Sequence, residues 1–183
     1  MPTVRSRPRG RLQELRNPLL LPDTGRRRGH PQAGGGVAAV YLIVIGGGTV
    51  GYYLSRDLIE RGEEVTLVEK DGARAEWLES QLGSIVMRGD GDELSFLATT
   101  GIERADAVLA VTGDDEDNLV SCQLAKRKFH VPKTVARVNN PANVRIFKTL
   151  GVDVALSATE VLLDLIESEL ANKEPARRSA AQP

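Results

Sequence analysis

The run Gly46-Gly47-Gly48-Thr49-Val50-Gly51 lies between an apolar stretch, Val40-Tyr41-Leu42-Ile43-Val44-Ile45, and an amphipathic one. Glycines in a G-x-G-x-x-G order at such a turn suit one task, which is bringing bare backbone N–H groups against a diphosphate. Gly46 permits the tight turn, Gly48 leaves no Cβ between main chain and phosphate, and Gly51 lets the helix close on the strand. Phosphate oxygens then meet the free N–H groups and the positive dipole end of that helix. Glu69 ends a second apolar stretch about 20 residues downstream, where a carboxylate accepts hydrogen bonds from ribose hydroxyls. Together the two signals predict a site for NAD or an adenosine nucleotide. Glu69 repels a 2′-phosphate and so disfavours NADP, while Lys70 and Arg74 nearby pull the other way.

Other chemistry finds little support. Cys122 is the only cysteine, which excludes an internal disulfide or a thiol metal cluster and suits a reducing compartment. It reads as a small buried helix residue. His30 and His130 are placed in a leader and at a helix end, so no catalytic base is expected. The acids Asp114 to Asp117 could suit a cation, but acids in the first turn of a helix are favoured by its dipole in any case, and no metal is expected. No stretch reaches the roughly 20 apolar residues of a membrane span. Residues 1–39 hold eight arginines against two acids, whereas residues 40–170 hold 13 basic and 22 acidic residues. The acidic body disfavours nucleic acid as its partner.

Six strand-like segments, over 40–45, 64–69, 84–88, 107–111, 134–138 and 153–156, are short, apolar and β-branched with little polar alternation. That pattern marks parallel strands covered on both faces. Helices are expected between them. One spans 49–61 and ends at Gly62. Asp71 caps one reaching about residue 82, another covers 92–100, and Asp114 or Asp115 caps one reaching 129. Pro141 opens the next, and Ser157 with Glu160 forms a capping box for 157–170. Strict β/α alternation implies a single-domain, doubly wound parallel sheet of six strands, the Rossmann fold. Residues 1–39, rich in Arg, Pro and Gly, read as a disordered leader. It is either a basic arm for RNA or anionic lipid, or a non-native start ahead of an initiating Val40. Residues 171–183 read as a disordered tail.

Further motifs follow the strands in order. They are Gly89-Asp90-Gly91-Asp92, then Gly101-Ile102 with Ala105-Asp106, then Val111-Thr112-Gly113-Asp114-Asp115-Glu116-Asp117-Asn118-Leu119, then Ala136-Arg137-Val138-Asn139-Asn140-Pro141. The succession over 40–170 resembles the N-terminal domain of the RCK family, also called TrkA-N or KTN. The resemblance implies a cytoplasmic regulatory subunit, held to the inner face of the plasma membrane by a potassium-translocating partner of Trk or Ktr type. It implies binding of NAD(H), or alternatively ATP or ADP, without turnover, and a homodimer or higher oligomer. It assigns the pyrophosphate to Gly46, Gly47, Gly48, Thr49, Val50 and Gly51, and the ribose to Glu69. Asp90 falls to the adenine, Thr112 and Gly113 to the edge of the fourth strand, and Arg137 to a phosphate. Thr49 and Val50 stand where some ATP-binding members carry an arginine, which favours NAD(H).

Alternatives remain for single residues. Asp90 is also placed to cap the 92–100 helix, and Arg137 to pair with Asp114 or Asp115. The apolar stripe of 157–170 fits either a partner subunit or the chain's own sheet. After Leu170 only a short stretch follows, where many family members continue into a second ligand-binding domain. The competing reading is a small NAD-dependent dehydrogenase resembling the precorrin-2 enzymes, which share Gly-Gly-Gly-x-Val. Hydride transfer needs a substrate pocket and a positioned acid or base, and the sequence offers neither a substrate domain nor a suitable histidine.

Overall fold

A computed structural model describes residues 39–172. The readings placed on residues 1–38 and on the tail beyond 172 lie outside the described residues. Strands β1 (Tyr41–Ile45), β2 (Glu64–Glu69), β3 (Val86–Arg88), β4 (Ala107–Ala110), β5 (Lys133–Val138) and β6 (Val154–Ser157) alternate with helices. The helices are α1 (Thr49–Glu60), α2 (Gly72–Leu82), α3 (Leu94–Thr99), α4 (Asp115–Arg127), α5 (Val144–Thr149) and α6 (Ala158–Asn172), with 3-10 turns at Ile102–Arg104 and Pro141–Asn143. Every pairing is parallel and the strand order is β3-β2-β1-β4-β5-β6. This is the Rossmann order, in which the chain works outward from β1 to one edge and returns to build the other. The crevice between the loops leaving β1 and β4 is where such sheets bind ligands.

The strands form where they do because helices cover both faces. All five residues of β1 and all four of β4 are buried, which suits unbroken apolar runs. One core gathers Ile43, Ile45, Val68, Leu97 and Val108. Another gathers Cys122, Ala136, Val138 and Val152 around Phe147. Burial pushes the Cys122 thiol up to about 12, so it stays protonated and apolar in character.

Local signals place most boundaries. Asp71 Oδ1 accepts from Arg74 N at 2.7 Å, Gly62 leaves α1 at φ 85°, and Ser157 Oγ accepts from Glu160 N at 3.3 Å. Pro141 opens its 3-10 turn beside Asn140, whose Oδ1 accepts from Ala142 N at 3.1 Å. Three of the ends that differ from expectation have a local cause. β3 starts at Val86, since only Leu67, Val68 and Glu69 of β2 pair with it. α3 starts at Leu94 because Asp90 and Asp92 are spent on a turn ahead of it. α4 stops at Arg127, where Lys128 and Phe129 both donate to Leu124 O and His130 adopts φ 55°.

α6 does not settle on the sheet. Val161, Leu162, Leu163, Leu165, Ile166 and Leu170 are each 42–64% exposed, so packing on the chain's own sheet is not what the stripe does here. Among the described residues no helix is long and apolar enough to cross a membrane. Phe147, almost fully buried in the second core, offers a test of the packing. Phe147→Ala is expected to lower unfolding free energy by about 3–5 kcal/mol in urea titrations. A loss below about 1 kcal/mol would show that α5 is not part of the cooperative core.

Candidate functional site

The carboxyl ends of β1 to β5 open onto a cleft of about 320 Å³ at the β1/β4 switch point. Its centre is the glycine loop. Gly46 has φ 103°, donates from its N to Val68 O at 2.9 Å, and has no room for a side chain, since a Cβ would lie 2.9 Å from Thr112 N. Gly48 is the N-cap of α1 with no side-chain cap, and the first turn carries no acid. A Cβ at Gly48 would meet nothing within 4 Å. The opening N–H groups of α1 lack intrahelical partners, as in any helix, and Gly48 and Thr49, where the helix starts, are exposed. A Cβ at Gly51 would lie 1.8 Å from Gly46 O. The helix is pressed directly against the loop it follows.

Gly47 is turned away from the cleft and buried. Its N donates to Glu69 Oε2 at 2.9 Å and its O accepts from Arg74 Nε at 2.8 Å. Glu69 Oε1 accepts from Asp71 N at 2.8 Å. Each carboxylate oxygen has more than one lone pair, so Glu69 can brace the loop and still accept from a sugar hydroxyl. Of the eleven residues that the sequence singled out, Gly46, Gly48, Glu69, Asp90, Thr112, Gly113 and Arg137 line the cleft. Gly47 supports them from behind, while Thr49, Val50 and Gly51 form the adjoining turn of α1.

Asp90 does not cap α3, whose N-cap is Glu93. Its Oδ1 accepts from Asp92 N at 3.4 Å, closing the turn that leads to the helix. Burial, the hydrogen bond to Asp90 and the charges of Asp90 and Asp117 push the Asp92 carboxyl above its usual range. Lys70 works against them. Its Nζ bonds Asp117 Oδ2 at 2.9 Å, and that bond with the surrounding carboxylates holds the ammonium above its usual range.

The opposite bank is held by residues to which the sequence reading gave no role. Buried Asn118 accepts through Oδ1 from Thr112 N at 2.9 Å and Thr112 Oγ1 at 2.8 Å. Through Nδ2 it donates to Arg137 O at 3.0 Å, tying the end of β4 to β5. Ser121 Oγ donates to Gly91 O at 2.8 Å and fixes the loop after β3. Asn118, Cys122 and Ala125 share the buried side of α4. A polar residue at that spacing was the signal available in the sequence.

Arg137 pairs with neither Asp114 nor Asp115. Among the described residues its side chain has no partner, and its buried Nε is without a hydrogen bond although the residue lines the cleft. Asp115 is spent elsewhere: Oδ1 accepts from Asn139 N at 2.6 Å, and Oδ2 from Asn140 N at 3.1 Å and Asn143 Nδ2 at 2.8 Å. Among the described residues no group of three or more His, Cys, Asp or Glu could hold a metal ion.

A glycine loop at the β1–α1 turn, an acid ending β2 and this strand order define a Rossmann domain. The chain belongs to the TrkA-N domain family, whose model matches residues 42–158. It is 42% identical over 135 residues to the Trk system potassium uptake protein TrkA of Mycobacterium tuberculosis, covering 69% of this chain and 57% of that protein. It is 36% identical over 128 residues to a TrkA homolog of Methanothermobacter thermautotrophicus, covering 70% and 59%. The chain thus spans less than two thirds of the length of these relatives. Among solved structures it resembles the NAD(P)-binding domain of an exopolyphosphatase-related protein from Archaeoglobus fulgidus. That match has 26% identity and a TM-score of 0.62, and covers 72% of this chain and 97% of that one.

Asp115 carries a pH signature. Burial by itself would raise its carboxyl, but the N–H donors of Asn139, Asn143 and Asn140 outweigh this and hold it below the ordinary 3.8. A depressed folded value contributes stability that is complete above the unfolded value and is lost as pH falls through the folded one. Asp115→Asn is expected to cost about 2–3 kcal/mol at neutral pH. The gap to the parent should close between about pH 5 and pH 1. A gap that stayed constant down to the acid transition would contradict this assignment.

Proposed function

We propose that this chain is the nucleotide-sensing domain of a cytoplasmic regulator that controls a potassium uptake transporter or channel. The observation that carries the reading is the N-terminus of α1, without an acid or a side-chain cap, opening over Gly48 onto the cleft. The residues present fit the diphosphate and ribose of an adenosine nucleotide. Amides of α1 face the phosphates, Glu69 has acceptor capacity for the sugar, and Arg137, unpartnered and lining the cleft, offers its guanidinium to an anion. NAD(H) is the favoured ligand, with ATP or ADP the alternative. The names of the TrkA relatives support a potassium-translocating membrane partner of Trk or Ktr type, to which the domain is held at the inner face of the membrane.

What lines the cleft supports binding without turnover. Among the described lining residues there is no histidine or cysteine, and Ser121 is committed to Gly91 O. The exposed stripe of α6 is the surface for a second copy of the chain, because a continuous row of half-exposed leucine, valine and isoleucine is costly in water.

Calorimetry with NADH, NAD, ATP and ADP tests the ligand. Arg137→Ala and Glu69→Ala should each weaken binding about tenfold or more, the loss of one charge-assisted contact. Equal affinity in both variants, or steady oxidation of NADH by an added small substrate, would overturn the reading. Sedimentation of the double variant Leu162→Glu, Ile166→Glu should show a monomer at concentrations where the parent is a dimer. A dimer that survives both charges would remove α6 from the interface.

A further inference from the structure

The ribose-side acid Glu69 has cations around it, and the structure directs each of them elsewhere. Arg74 donates through Nε to Gly47 O at 2.8 Å and lies 4.3 Å over the ring of Trp77. Arg88, the register partner of Glu69 on β3, rests its guanidinium against Gly72. Only Lys70 of the three lines the cleft. It follows Glu69 directly in sequence and would be the cation to meet a phosphate on the ribose. Its Nζ instead reaches to the other bank, to Asp117 Oδ2 at 2.9 Å in the first turn of α4.

Resting on the nucleotide reading above, we infer that Asp117 is a specificity-determining residue. By holding Lys70 away from Glu69, it keeps that ammonium from a 2′-phosphate on the sugar side of the cleft, where the Arg74 guanidinium is already spent on Gly47 O and Trp77. The site therefore takes adenosine nucleotides whose ribose keeps its free 2′-hydroxyl. The electrostatics support the assignment. A 2′-phosphate near Glu69 faces a carboxylate of like charge, whereas a hydroxyl donates to it. Lys70 is recruited not by Asp117 alone, since Asp90 and Asp92 add to the field that draws its ammonium across. The arrangement explains how a lysine beside the sugar acid is compatible with rejection of a phosphorylated ribose. The discriminating residue lies 47 positions further along the chain, outside the usual strand-end position of the sugar acid.

The test compares dissociation constants of NADH and NADPH for the parent, Asp117→Asn, Lys70→Gln and the double variant. The parent should prefer NADH. Asp117→Asn should raise the NADPH affinity relative to NADH by roughly tenfold, the size of one charge-assisted contact at a partly exposed site. Lys70→Gln, Asp117→Asn should return the ratio to that of Lys70→Gln, since the freed ammonium is gone. Asp117→Ser serves as a second version with the same expected ratio. An unchanged ratio in Asp117→Asn and Asp117→Ser, or a raised ratio that persists in the double variant, would overturn the inference while leaving nucleotide binding intact. If the parent bound neither dinucleotide, this inference would fail, and if it bound neither ATP nor ADP as well, the reading of the cleft would fail with it.

Discussion

The peptide of Gly47 is gripped from both sides: Glu69 takes its N–H and Arg74 takes its carbonyl oxygen. These two charged side chains come from the end of β2 and the first turn of α2, so the loop between β1 and α1 is fixed by the neighbouring β–α unit. The position is crowded, because a Cβ on Gly47 would lie 2.2 Å from Leu78 Cδ1. With Gly47 anchored, Gly48 must face outward, and the opening turn of α1 is delivered to the cleft with its amides free. The contact of Gly51 with Gly46 O completes the constraint. The acid that ends β2 thereby also sets the geometry of the glycine loop.

The other bank is built differently. Three acids, Asp115, Glu116 and Asp117, occupy the first turn of α4, whereas the first turn of α1 has none. Negative charge near a helix N-terminus is favourable for the helix and unfavourable for an incoming anion. The cleft thus has one anion-accepting helix end and one that is already neutralised. The acids of α4 serve structure instead. Asp115 holds the turn from Asn139 to Asn143, Asn118 joins the ends of β4 and β5, and Asp117 draws Lys70 across. Arg137 is placed by its strand and by Asn118, yet its side chain is left without a partner.

Much of this was legible in the sequence because it rests on local rules. The apolar runs ending in Ile45 and Glu69 gave strands that match the structure within a residue, and the glycine spacing placed the loop at the turn between β1 and α1. Asp71 and Ser157 marked helix starts through side-chain capping, and Pro141 the start of a 3-10 turn through its fixed φ and missing N–H, signals that depend on a few adjacent residues. What escaped depends on distant pairings. Asn118 reads as an ordinary helix residue until β4 and β5 bring Thr112 and Arg137 O beside it. That Arg137 is left unpaired could not be read from charge alone, since Asp115 is held by the converging N–H groups of three asparagines instead of a guanidinium. Lys70 likewise looked like a cation for the sugar until the fold placed Asp117 within reach.

Membership of the TrkA-N family and the geometry of the cleft meet at one claim, that the amides opening α1 receive a diphosphate. Amide chemical shifts of the ¹⁵N-labelled chain, followed while NADH or ADP is added, address it most directly. The account predicts that Gly47, Gly48, Thr49, Val50 and Gly51 shift together and saturate with the ligand. Saturable binding that left those five resonances where they were, with shifts confined to another face, would contradict it.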